Sequence, residues 1–468
     1  MRTSQLLDLV GQDVRVPTAR GDVVRYVNLD YAASTPPLLT VKDAVEQLLP
    51  WYSSVHRGAG YKSQLSTAAY EAARQAVSRF CGARPDDTTI FTRNTTDALN
   101  LLASALPAGT TVIAFEVEHH ANLLPWRRSE GSIQYLPAPT SPEAALTVLE
   151  DTLRGLAAGP VLVTVTGASN VTGEVWPIAD IVDLAHRFGA RVLVDAAQLA
   201  PHFPIDLGKL GADYVAFSGH KMYAPFGAGV LVGRSDWLAE ARPFLYGGGA
   251  VSFVTLDDVL WTSLPDRQEA GSPNVVGAVA LGVACEMLAK YGMERLAVEE
   301  MALGAYAREA LQAIPGIEIY ALWDGEDVQR LGIVSFNLAG MPHGELAVIL
   351  SAEYGIGVRH GCFCAHPYLQ RLLRYPVDRA AALRREIAAG HRGDVPGAVR
   401  MSVGVGSTRQ DIDALVGAVE AISRHGSHLS YRLDEASGEY VHEYDWPVYP
   451  NLPFPLAHAA GHGGGEAS

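Results

Sequence analysis

Cysteine is scarce in this sequence: Cys81, Cys285, Cys362 and Cys364 are the four among 468 residues. So few thiols in a chain this long exclude a disulfide framework. Long apolar runs are missing too. No stretch reaches the roughly 18 apolar residues of a transmembrane helix, so no membrane contact is expected. The opening MRTSQLLDLVGQDVRV lacks the apolar core and cleavage site of a secretory leader. A reducing cytoplasm is the expected location. Basic charge is in deficit, with 36 Lys and Arg against 51 Asp and Glu and a net charge of −15. That balance argues against a nucleic-acid partner, because neutralising phosphates needs clustered cations. Charged residues make up 19% of the chain, a low share that suits broad buried surfaces such as a dimer interface. Cys362 and Cys364 form a C-x-C pair without a second ligand pair, so no metal site is expected.

Hydrophobic residues, at 48%, are ample for a large core, and the length favours two domains. Through the first half, short β-branched runs (Thr111–Phe115, Val161–Thr166, Arg191–Val194, Tyr214–Phe217) alternate with amphipathic stretches such as Ala68–Phe80 and Ile178–Phe188. That alternation predicts an α/β fold with a mainly parallel sheet covered on both faces. A long helical stretch over about Asn274–Ile314 then leads to a smaller α+β domain. Its elements are a strand at Leu331–Asn337, a helix at Glu345–Glu353, short strands at Gly357–Arg359 and Arg400–Val405, and a capped helix at Asp411–His425. The implied division is an N-terminal segment (1–25), a large domain (26–275), a small domain (276–425) and an extended, partly disordered tail (426–468). The tail ends in AAGHGGGEAS.

In parallel sheets, sites gather at the carboxyl ends of strands, and three candidates fall there. Ser218-Gly219-His220-Lys221 follows the strand ending at Phe217. A desolvated lysine there loses its charge and can form an imine, although a surface lysine after a strand reads the same way. Asp195 ends an apolar strand and is followed by Ala196-Ala197-Gln198. Such an aspartate could face a protonated pyridine nitrogen or cap the next helix. Thr95 and Thr96, in RNTTD, open a helical segment after Thr89-Ile90-Phe91. They suit a phosphate or an ordinary N-cap equally well.

Several segments occur in one order along residues 25–425: YVNLDYAAS at 26–34, HRGAGYKS at 56–63, RNTTDALN at 93–100, EHHANLLPW at 118–126, SNVTGE at 169–174, VDAAQ at 194–198, SGHKMYAP at 218–225 and EAGSPN at 269–274. In this the chain resembles the class V aminotransferase family of fold-type I pyridoxal-5′-phosphate (PLP) enzymes, and within it the group II cysteine desulfurases and selenocysteine lyases. The resemblance implies a PLP-dependent transferase fold with Lys221 as the Schiff-base lysine. It places Asp195 beside the ring nitrogen and His119 stacked on the ring, assisting proton transfer. Gln198 would bond the ring hydroxyl, and Asn170 would meet that hydroxyl or the substrate. Thr95, Thr96, Ser218 and His220 would bind the phosphate. Ser272, in place of the family's threonine, would complete that site from the other subunit of a homodimer.

Gly357-Val358-Arg359-His360-Gly361-Cys362-Phe363-Cys364-Ala365-His366-Pro367 resembles the catalytic-cysteine loop of the same group. The match implies Cys364 as the persulfide carrier, Arg359 and Arg400 as ligands of the substrate carboxylate, L-cysteine as substrate, and a sulfur-acceptor protein as a possible partner. A guanidinium suits a carboxylate because it can bond both oxygens, and a reactive thiol needs access and nearby cations. Other uses of the same fold are an aminotransferase, epimerase or lyase for a specialised amino acid, or a catalytically silent scaffold. The sequence departs from the family in the long segment 368–399 between Cys364 and Arg400, in Ala168 where histidine is usual, and in the extra tail. The inserted segment is expected to fold over the site's entrance.

Overall fold

The computed structural model describes residues 7–442 apart from 57, 129–130, 326–327 and 391–394. The β-branched runs of the first half build one seven-stranded sheet. Its strands, in chain order, are β1 (Asp87–Thr92), β2 (Thr111–Phe115), β3 (Ile133–Leu136), β4 (Val161–Thr166), β5 (Arg191–Asp195), β6 (Tyr214–Ser218) and β7 (Gly229–Arg234). They lie side by side as β1-β7-β6-β5-β4-β2-β3. Only β7 runs antiparallel to its neighbours; the pairs from β6 across to β3 are parallel.

Every residue of β4 and β6 is buried, because both sheet faces are covered and each strand feeds two cores. Val163, Val192, Val194 and Val215 point into one, shared with helices Ile178–Arg187 and Val275–Tyr291. Leu162, Leu193 and Ala216 point into the other, shared with helix Thr95–Ala105. Where β7 passes the start of that helix, a Cβ at Gly229 would lie 2.5 Å from the Asn94 Cα. Only glycine permits that approach, and it brings the helix N-terminus against the end of the sheet.

The stretch expected as one helix over Asn274–Ile314 is two, Val275–Tyr291 and Met293–Gln312, bent by 81°. Gly292 stands between them at φ 103°, a conformation that side-chain-bearing residues avoid. The first helix packs into the large domain's core, and the second starts there with Met293 and Leu296 and ends in the small domain's core with Ala307 and Leu311. Among the described residues, no single helix is long and apolar enough to cross a membrane.

The small domain holds an antiparallel sheet of β8 (Ile317–Tyr320), β9 (Ile333–Leu338), β10 (Arg359–Gly361) and β11 (Ala398–Ser402), ordered β8-β9-β11-β10. Val27–Asn28 pairs in parallel with Ile356–Gly357, and Val27 and Leu29 join this domain's core. Both ends of the chain thus build it. The segment after Gly426, expected to be extended, instead forms a hairpin of Tyr431–Asp434 and Glu439–His442. Buried Glu353 anchors its base by accepting hydrogen bonds from the His428 and Leu429 N–H groups and the Tyr431 hydroxyl. The closing AAGHGGGEAS lies outside the described residues.

Candidate active site

The carboxyl ends of β5, β6, β4 and β2 open onto a cavity of about 1060 Å³. Of the residues singled out from sequence, Lys221, Asp195, Gln198, His119, Asn170, Thr95, Thr96, Ser218, His220, Arg359, Arg400 and Cys364 all line it. Ser272 does not: it is exposed on its own chain, away from this lining.

Lys221 ends the short turn Gly219–Lys221 that follows β6. Burial pushes its ammonium down to about 8, with Arg400 pushing the same way, while Asp195, Cys364 and Asp30 pull it up. Asp195 is 4% exposed and accepts a hydrogen bond from the Ala197 N–H at 3.0 Å. Burial raises its carboxyl above the usual range, against the pull of that N–H and of Lys221. Such a carboxylate is short of positive charge. A protonated ring nitrogen would supply it.

His119 follows β2 and is held from behind. Its Nδ1 accepts from the Ala121 N–H at 3.0 Å, so its proton sits on Nε2. Burial, Lys221, His120 and Arg400 push the imidazole down to about 3, so it is neutral. Glu118, fully buried, accepts from Asn122 and from the Thr166 N–H, and burial raises its carboxyl to about 8. Asn122 in turn accepts from Thr164. This network ties the His119 turn to the end of β4.

At the other side, Asn94 caps helix Thr95–Ala105 through the Asp97 N–H. Ser218 Oγ accepts from the Thr95 N–H and lies 2.7 Å from Thr95 Oγ1. Thr96 and His220 complete a cluster of hydroxyls and an imidazole at a helix N-terminus, a setting suited to phosphate. Gln198 donates to the Ala32 carbonyl at 2.7 Å, but its Oε1 is buried without a partner. An orphaned amide oxygen on the wall is what a ring-bearing guest with a hydroxyl would satisfy. The desolvated amine, the charge-starved carboxylate, the phosphate-suited cluster and this orphan together fit PLP.

Arg400, 3% exposed on β11, donates to the Asn170 carbonyl at 2.8 Å and to Asp30 at 3.0 Å, while its Nε has no partner. Burial and Arg359 lower the guanidinium, and Asp30 and Cys364 raise it. β10 runs beside β11 and pairs Arg359 with Arg400, so both arginines reach one cavity.

β10 leads directly into the cysteine loop. Cys362 accepts from the Ala365 N–H at 2.9 Å, closing a turn whose central residues Phe363 and Cys364 have φ of 53° and 54°. Non-glycine residues pay about 1–2 kcal/mol each for that conformation. Three contacts hold it: Asn170 donates to the Phe363 carbonyl at 2.8 Å, the His120 N–H donates to the Cys364 carbonyl at 2.7 Å, and Arg400 lies over the Phe363 ring. His120 also stacks on His366 at 5.0 Å. Asn170, expected on the cofactor, therefore also positions the cysteine turn.

Ile387 and Val395 of the inserted segment line the same cavity, as do Ser437, Gly438 and Glu439 from the turn of the C-terminal hairpin. Glu439 lies 3.2 Å from His360 Nε2. Asp30 and His120 did not stand out as site residues in the sequence. Asp30 sits inside a motif, but its partner Arg400 is far along the chain; His120 reads as a mere neighbour of His119.

A lysine, an aspartate and a phosphate cluster at the carboxyl edge of this sheet define a PLP enzyme of fold type I, and the chain belongs to the aminotransferase class-V family, whose family model matches residues 27–415. Within that family it is similar to a probable cysteine desulfurase of Halalkalibacterium halodurans, 34% identical over 86% of this chain and 94% of the relative. It is 35% identical to a cysteine desulfurase of Klebsiella pneumoniae over 85% of this chain and 93% of that one. Two solved structures share the fold. The cysteine desulfurase CsdA of Escherichia coli, in an S-sulfonic acid form, has a TM-score of 0.71 and 34% identity over 84% of this chain and 94% of its own. The apo cysteine desulfurase of Thermococcus onnurineus has a TM-score of 0.74 and 29% identity over 85% and 95%.

Proposed function

We propose that this chain is a PLP-dependent cysteine desulfurase that converts L-cysteine to L-alanine and leaves the sulfur as a persulfide on Cys364. The observation that carries this reading is the meeting of Cys364 with Lys221 and Arg400 on the wall of one cavity. Of the four cysteines Cys364 is the exposed one, as a thiol that must reach a substrate sulfur requires.

Bound PLP supplies the electron sink for the substrate's Cα. The residues supply the rest. Lys221 would hold the cofactor, and its amine, lowered by burial, would move the substrate's Cα proton. Asp195 would keep the ring nitrogen protonated, Gln198 would meet the ring hydroxyl, and His119 would pack on the ring. Thr95, Thr96, Ser218 and His220 would hold the phosphate. Arg400 and Arg359 bind the substrate carboxylate, with the unpartnered Nε of Arg400 free to donate. The Cys364 thiolate attacks the substrate sulfur. The carbon–sulfur bond breaks, a sulfur–sulfur bond forms, and the carbon keeps the electron pair and is reprotonated to give alanine.

The enzyme is proposed to be a homodimer in which Ser272 reaches the partner's phosphate site. A large apolar exposure supports this: Tyr246, Phe253, Leu256 and Leu260 are exposed on and beside the hairpin Val251–Val254/Val259–Trp261, and monomers rarely leave such a patch bare. A reducing cytoplasm suits the free thiols. The test is Cys364→Ser. It should bind PLP and react with L-cysteine at the cofactor, yet form no alanine; alanine at the wild-type rate would remove the desulfurase mechanism.

A further inference from the structure

The two cysteines of the turn do not share the same surroundings. Both line the large cavity. Cys362 alone of the two also lines a second chamber of about 170 Å³, walled by Leu369, Leu383, Ile387 and Val395, with Arg384 among its polar groups. Helix Val377–Ala388 of the inserted segment forms much of that wall. Cys362 and Cys364 are the first and third residues of one hydrogen-bonded turn. With consecutive Cα atoms about 3.8 Å apart, two such residues in a turn stay within the roughly 7 Å over which cysteine sulfurs can meet.

We propose that Cys362 is a second sulfur carrier, which takes the sulfur from Cys364 and presents it in the smaller chamber to a low-molecular-weight thiol. This rests on the desulfurase reading of Cys364. The Cys362 thiolate attacks the outer sulfur of the Cys364 persulfide. That sulfur–sulfur bond breaks, Cys364 leaves as a thiolate, and a new persulfide forms on Cys362 with no net oxidation. The acceptor thiolate then attacks the same outer sulfur and departs as its own persulfide, returning Cys362 to the thiolate. The chamber admits a small molecule rather than a folded domain, and Arg384 favours a thiol that carries a carboxylate. The relay also separates sulfur delivery from the large cavity, where the cofactor and the next substrate must sit.

The test uses holoenzyme, L-cysteine and 3-mercaptopropionate. Without the acceptor, alkylation and mass spectrometry should find persulfide on both cysteines in the wild type, on Cys364 alone in Cys362→Ser, and on neither in Cys364→Ser. With the acceptor, the ratio of sulfur transferred to alanine formed should fall at least tenfold in Cys362→Ser and in Leu383→Trp, which fills the chamber. Persulfide confined to Cys364 in wild-type enzyme that makes a full burst of alanine would overturn the relay, as would an unchanged ratio in Cys362→Ser. Sulfur passing to a thiol-bearing protein faster than to 3-mercaptopropionate, and undiminished in Leu383→Trp, would overturn the small-thiol acceptor. Absence of any alanine burst in the wild type would instead count against the desulfurase reading itself.

Discussion

Burial lowers both the amine and the imidazole at this site, with different consequences. A Lys221 value near 8 leaves about a tenth of the amine neutral at pH 7, against less than a thousandth for an ordinary lysine. Uptake of PLP by the apo-protein should therefore rise with pH through a midpoint near 8. A midpoint near the ordinary lysine value would show that the amine is not desolvated. Glu118 gives a stability prediction of definite sign. Its folded value, about 8, lies above the ordinary 4.5, so its contribution is complete below about pH 4.5 and is lost as pH rises through 8. Wild-type protein should lose melting temperature between pH 5 and 9 more steeply than Glu118→Gln, and equal slopes would contradict the buried neutral carboxyl. That Lys221, Asp195 and His119 meet at one cavity was legible in the sequence because each lies in a short motif at a strand end. The roles of Asp30 and Asn170 were not, because each depends on a partner 370 or 193 positions away, Arg400 and Phe363.

Period and composition located most elements correctly, including the parallel strands and the capped helix near the end, where Thr408 and Asp411 form a reciprocal cap. They failed where one backbone conformation decided the outcome. Gly292 breaks what reads as a continuous helix, since glycine inside a helical pattern is tolerated as often as it terminates one. The C-terminal hairpin was invisible for another reason: Glu353, which anchors it, lies in a helix of the small domain, and short, mostly polar strands carry little signal of their own. That anchor gives a prediction. Glu353→Ala should release the hairpin, whose turn borders the cavity, and so speed alkylation of Cys364 by iodoacetamide several-fold. An unchanged rate would mean that the hairpin does not limit access. Of the inserted segment, Ile387 and Val395 border the same cavity.

At the scale of the whole molecule, one chain supplies every proposed cofactor contact except Ser272, which lies apart from the cavity. If a second chain completes the phosphate site, Ser272→Ala should weaken PLP binding without altering the Lys221 linkage, and light scattering should give twice the chain mass of 50.0 kDa. A fully active monomer would contradict the shared site. The central claim is that PLP chemistry here is coupled to a thiol, and single-turnover product analysis tests it most directly. Holoenzyme mixed with L-cysteine should give alanine and persulfide sulfur, summed over Cys364 and Cys362, in equal amounts within the first turnover, with no need for a keto acid. Conversion of the cofactor to its amine form, reversed only by a keto acid and with no sulfur on Cys364, would contradict it and identify a transaminase.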